Sequence, residues 1–92
     1  MGDWIVIGGY TIAGIEMLDD DTCCLYFEEF NDGGLFVGIV VEKWLDEGSW
    51  HFTDNYFDKD GDFLYSEKTT HLSENEKDEC KKFIDEWLGL LG

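Results

Sequence analysis

Six carboxylates fall between positions 19 and 32: Asp19, Asp20 and Asp21 in a run, then Glu28 and Glu29, then Asp32. Carboxylates two apart on an extended strand stand about 6.6 Å from one another. Placed on a sheet edge and its turns, this set forms a spaced anionic array of the kind a phosphate-binding groove accepts. The same residues on an ordinary solvated face would serve only solubility. The rest of the chain adds weight to the first reading. It carries 22 Asp and Glu against 6 basic residues, all lysine, for a formal net charge of −16. A field of that sign repels phosphate backbones and anionic lipid head groups and draws in basic surfaces. Direct nucleic-acid binding and membrane-surface binding are disfavoured, and the expected partner is a basic protein surface. The charge is also lopsided. Residues 1–72 hold 16 of the carboxylates against Lys43, Lys59 and Lys68, whereas the segment from Ser73 onward balances six with three lysines.

Other chemistries find less support. Cys23, Cys24, Cys80, His51 and His71 are the soft-metal ligands, but no C-x-x-C or H-x-x-x-H spacing brings two of them together locally. Adjacent strand residues point to opposite faces, so Cys23 and Cys24 are expected as one core thiol and one half-exposed thiol. No metal and no cofactor is expected from these residues. Nothing singles out one carboxylate pair as acid and base, and neither a phosphate-binding glycine loop nor a nucleophile elbow is present. The chain therefore reads as non-enzymatic.

One loop needs separate weighing. In residues 56–67, Asp58, Asp60, Gly61 and Glu67 match positions three, five, six and twelve of a calcium-binding EF-hand loop, with Phe63 at the apolar eighth position. Tyr56 occupies the first position, where a carboxylate is needed, and neither flank has helical periodicity. A hairpin turn is the preferred reading, and a calcium-binding module is kept as the alternative from another class.

The elements that position these residues follow from the apolar pattern. Trp4–Ile7 and Tyr10–Leu18 flank Gly8-Gly9 and read as a tight hairpin. Thr22–Phe30 alternates as a third strand, and Asn31-Asp32-Gly33-Gly34 turns the chain into Leu35–Val41, a nearly continuous apolar run suited to mid-sheet. Glu42–Gly48 reads equally as strand or helical turn. Two further alternating segments, around Trp50–Tyr56 and Asp62–Thr70, flank the turn Asp58–Gly61. Ser73 and Glu76 have the spacing of a capping box, and Cys80, Phe83, Ile84, Trp87, Leu88 and Leu91 form one helical stripe. The fold class is α+β: a single domain over 1–92, an antiparallel sheet of five to six strands with one C-terminal helix packed on a face.

Three cysteines without a spaced, even pattern fit reduced thiols in a cytoplasmic protein, and no apolar run approaches the ~20 residues of a membrane span. The function expected on these grounds is inhibition by a nucleic-acid mimic that masks the basic groove of a nucleic-acid-binding enzyme. Small anti-restriction and anti-CRISPR inhibitors are similar in charge and size alone. An immunity protein neutralising a toxin is the near alternative. Exposed ion pairs contribute only about 0–1 kcal/mol each, so a desolvated aromatic anchor is also expected, from Trp44, Trp50 or Tyr56.

Overall fold

The computed structural model describes residues 5–91. The chain forms β1 (Val6–Ile7), β2 (Tyr10–Asp19), β3 (Thr22–Phe27), β4 (Phe30–Asp32), β5 (Leu35–Trp44), β6 (Ser49–Phe57), β7 (Phe63–Lys68) and then α1 (Glu74–Leu91). All strands join one curled antiparallel sheet in the order β1-β2-β3-β5-β6-β7, with β4 also paired to β5. The α+β architecture is the one expected, but the strand count is seven. The reason is a break in the expected third strand. Against β5, three residues, Phe27, Glu28 and Glu29, span the two places at Ile39 and Gly38, while the Glu28 N–H still bonds to β2 at the Thr11 carbonyl, 2.8 Å away. β3 and β4 are thus two pieces that share β5 as neighbour, Cys24 opposite Glu42 and Phe30 opposite Val37. Glu42–Trp44 extends β5, and only the residues after it turn.

β5 is central in the strand order, and its Val37, Ile39 and Val41, on one face, are fully buried, while Phe36 and Val40 on the other face are half-buried. The register places Leu25 and Phe52 on either side of Val41. These residues, with Cys23, Phe27 and Ile39, face Cys80 and Ile84 of α1 in a single core cluster. Burying each such aliphatic side chain contributes about 1.5–3 kcal/mol.

The helix starts where its cap dictates. Ser73 Oγ accepts from the Glu76 N–H at 3.2 Å, and Glu76 Oε1 accepts from the Ser73 N–H at 2.8 Å. Glu76 also presses on the β1–β2 turn. A Cβ at Gly8 would meet its carboxylate carbon at 2.8 Å and push that side chain from its cap, and φ there is +63°, the left-handed conformation that favours glycine. The apolar stripe runs out before the helix does: Phe83, Trp87 and Leu88 pack on the core, but Leu91, expected on the stripe, is 59% exposed. Trp4, assigned to the first strand from sequence, lies outside the described residues. No helix among the described residues is long and apolar enough to cross a membrane.

Candidate functional site

Two turns meet at one end of the sheet. The β2–β3 turn carries Asp19, Asp20 and Asp21, and the β5–β6 turn carries Asp46 and Glu47. The Leu45 N–H donates to the Asp21 carbonyl at 2.7 Å and fastens the second turn to the first. Within the first, Asp19 Oδ1 accepts from the Asp21 N–H at 2.8 Å, a local bond that Asp makes well in a turn. Asp19, Asp21, Asp46 and Glu47, with Thr22 and Trp44, line a cleft of about 310 Å³. A hydrogen bond to the Asp46 side chain, reinforced by its charge, holds the Asp21 carboxyl above its ordinary value. No lysine among the described residues pairs with any of these acids; the lysine pairs are Lys43–Asp85, Lys77–Glu74 and Lys81–Asp78.

Trp44 stands beside the cleft and is 38% exposed. Its ring lies 3.9 Å, centroid to centroid, from that of His51, and its Nε1–H donates to Glu42 Oε1 at 3.2 Å. The indole is thereby oriented in advance, which lowers the entropy lost when such a side chain is clamped by a partner. Of the three aromatic anchors expected, Trp44 is the accessible one; Tyr56 is buried, and Trp50 packs on the core under Lys43. No family model, curated protein or solved structure matches the chain.

The expected array does not stay together. Asp19, Asp20 and Asp21 lie at the end just described, while Glu28, Glu29 and Asp32 follow β3 at its other end, about 20 Å away by strand rise. Nor is β3 a sheet edge: β2 pairs on one side and β5 on the other, because Cys23, Cys24, Leu25 and Phe27 are all buried. Asp46, Glu47 and Trp44 take the places that Glu28, Glu29 and Asp32 were expected to fill. They came from the one segment whose state the sequence left open, although the turn signal Asp46-Glu47-Gly48 was there to read.

The far end holds a different arrangement. Asp54, on β6, is fully buried, and its Oδ2 accepts from the Thr70 N–H at 3.0 Å and lies 2.7 Å from His71 Nδ1. His71 Nε2 lies 3.1 Å from Asp32 Oδ2 on β4. A carboxylate at each ring nitrogen calls for an N–H on both, which is the imidazolium form. Burial pushes the His71 pKa down, but hydrogen bonds donated to Asp32 and Asp54, with the charges of those carboxylates, outweigh it and leave it raised. Tyr10 and Phe30 set their rings against the imidazole edge-on, at 6.2 and 5.1 Å. The signal for Asp54 was present in the period-2 pattern: it shares a face with Trp50, Phe52 and Tyr56, where a charge must find a partner.

The loop at 56–67 is a hairpin and does not gather the calcium-ligand set. Asp58 Oδ1 accepts from the N–H groups of Asp60 and Asp62, both at 2.9 Å, while Glu67 has moved along β7 and accepts from Tyr56 Oη at 3.1 Å. The cysteines differ from expectation as well. Cys23 faces the helix and is buried, but Cys24 on the opposite face is only 1% exposed, and burial there pushes its thiol up to about 11.

Proposed function

We propose that the chain is a non-enzymatic protein inhibitor that docks its acidic end onto the basic nucleic-acid-binding surface of a partner. The observation that supports this most directly is the joining of the Asp19–Asp21 and Asp46–Glu47 turns around an oriented, accessible Trp44. Carboxylates close enough to raise the Asp21 pKa repel one another in the free protein. An approaching Lys or Arg relieves that repulsion, so the site favours a cation over water. Trp44 supplies the apolar contact that exposed ion pairs lack, with a guanidinium able to stack on its face. A negative field of this size also accelerates encounter with a basic groove and suppresses approach to free nucleic acid.

The test is capture from a lysate of the source cells at about 50 and 500 mM salt, spanning the range over which screening of exposed charge becomes severe. The captured protein is then assayed for nucleic-acid binding with and without the inhibitor. A basic nucleic-acid-binding protein that is released by salt and by added DNA or RNA supports the reading. A ligand held equally well at both salt concentrations and indifferent to nucleic acid rules it out.

A further inference from the structure

The β7 edge offers an apolar surface on an otherwise acidic molecule. All six residues of β7 are exposed, with Phe63 at 58%, Leu64 at 46% and Tyr65 at 46%. β7 ends the strand order, and among the described residues no strand pairs with its outer side. The ladder shows which backbone groups that side presents. The Thr69 N–H donates to the Phe52 carbonyl, and the register continues through Glu67 opposite Asp54 and Tyr65 opposite Tyr56. In an antiparallel ladder the bonded residues alternate, so Ser66 and Lys68 turn their N–H and C=O groups outward. Unpaired edges of this kind pair with another strand unless they are blunted.

We propose that β7 pairs antiparallel with β7 of a second copy, about a two-fold axis at Ser66. The occupant is chosen by the pattern of charge along the strand. Residues 63–68 carry one acid, Glu67, and one base, Lys68, so the strand itself is neutral. In the register centred on Ser66, Glu67 faces Tyr65 of the other copy and Lys68 faces Leu64. No charge meets its like across the new ladder. Glu67 already accepts from the Tyr56 hydroxyl, which shows that this carboxylate sits well beside a phenol on this face. The Leu64 side chain covers the stem of the opposing Lys68, whose ammonium stays in water. Main-chain hydrogen bonds from Ser66 and Lys68 supply the attraction, as in other strand additions. The sheet then runs continuously through both copies, with their acidic ends facing opposite ways.

Each copy brings a formal charge of −16, so long-range repulsion opposes the pairing and salt screens it. Dimerisation therefore strengthens as salt rises, opposite to capture of a basic partner. The experiment is sedimentation equilibrium of the full chain from about 5 µM to 1 mM, at about 50 and 500 mM salt, a span over which charge screening changes strongly. The expected result is a concentration-dependent rise from the 10.6 kDa monomer toward twice that mass, larger at high salt. S66P removes one outward N–H while leaving the β6 ladder intact, as proline permits at an edge, and abolishes the rise. L64K sets one lysine opposite each Lys68, on both sides of the axis, and weakens the dimer about tenfold; its side chain is exposed, so the monomer fold persists if S66P does not fold. A single monomer mass at both salts up to the highest concentration overturns the proposal. So does a dimer that salt weakens, or one that L64K leaves unchanged.

Discussion

The two ends of the sheet handle carboxylates in opposite ways. At the Asp32–Asp54 end, His71 bridges a buried and an exposed acid and ties β4, β6 and the segment before α1 together. At the Asp19–Asp46 end, four acids from two turns crowd one cleft with no paired lysine among the described residues. Both ends have a raised pKa, His71 in one and Asp21 in the other, yet the causes differ. His71 is raised by hydrogen bonds to two carboxylates that hold the fold together, and Asp21 by a hydrogen bond to Asp46 and, after it, by the charge of that neighbour, which something outside the chain can offset. Internal neutralisation marks a structural site, whereas its absence leaves charge at the surface that the proposed function assigns to a cationic partner.

Removing Asp54 puts this contrast to its most severe test. D54A leaves the imidazolium and the Thr70 N–H without their buried acceptor, and breaking such a pair costs about 3 kcal/mol or more. Urea unfolding should show that loss, while D46N at the other end leaves the midpoint unchanged or slightly raised. Equal destabilisation by both variants would abolish the distinction between the ends. Next in size is the effect on partner capture. Neutralising Asp19, Asp21, Asp46 and Glu47 together as amides is expected to weaken affinity about tenfold or more, and E28Q with E29Q less than about threefold. The reverse order, measured by calorimetry on the captured partner, moves the binding surface to the β3–β4 break.

A pH titration sharpens the comparison further. His71 binds its proton more tightly in the folded chain, so its contribution to stability is fully present below the ordinary 6.5 and is lost as pH rises through the folded-state value. Stability at 0.1 M salt should therefore fall as pH rises above 6.5, and H71Q should flatten that slope. A His71 ring proton titrating below 6.5 by NMR contradicts the imidazolium clasp. Asp21 has the same sign in an acidic window: its raised pKa adds stability as pH falls toward the ordinary 3.8. The smallest effect expected is the return of the Asp21 titration toward that value in D46N, visible in its side-chain carboxyl carbon shift.

What was legible in the sequence was local. The capping box of Ser73 and Glu76 closes within four residues, so spacing alone was enough to place the start of α1. β5 was legible because a strand in mid-sheet carries apolar residues on both faces, and Leu35–Val41 is nearly continuous in them. The break between β3 and β4 was not, because it is set by the register against β5, where Tyr26 stands opposite Val40 but Phe30 opposite Val37. For the same reason the six expected acids separated: their adjacency in sequence says nothing about a strand of six residues standing between them. Trp44 and Asp46 were accessible to pattern only as an ambiguous stretch, and their partnership with Asp21 depends on a contact between two turns. Cys24 was misjudged because strand alternation predicts a face and not what covers that face.

All three thiols lie below the surface, Cys23 and Cys80 with no exposure and Cys24 with almost none, and burial pushes Cys80 up to about 12. Alkylating reagents attack the thiolate and need a path to it, so the native chain is slow to label even in alkaline buffer. Labelling then clocks structural opening, with Cys80 reporting separation of the helix from the sheet and Cys24 reporting the face of the sheet away from the helix. The protein thus carries, without engineering, a probe on each side of its sheet for watching which layer loosens first.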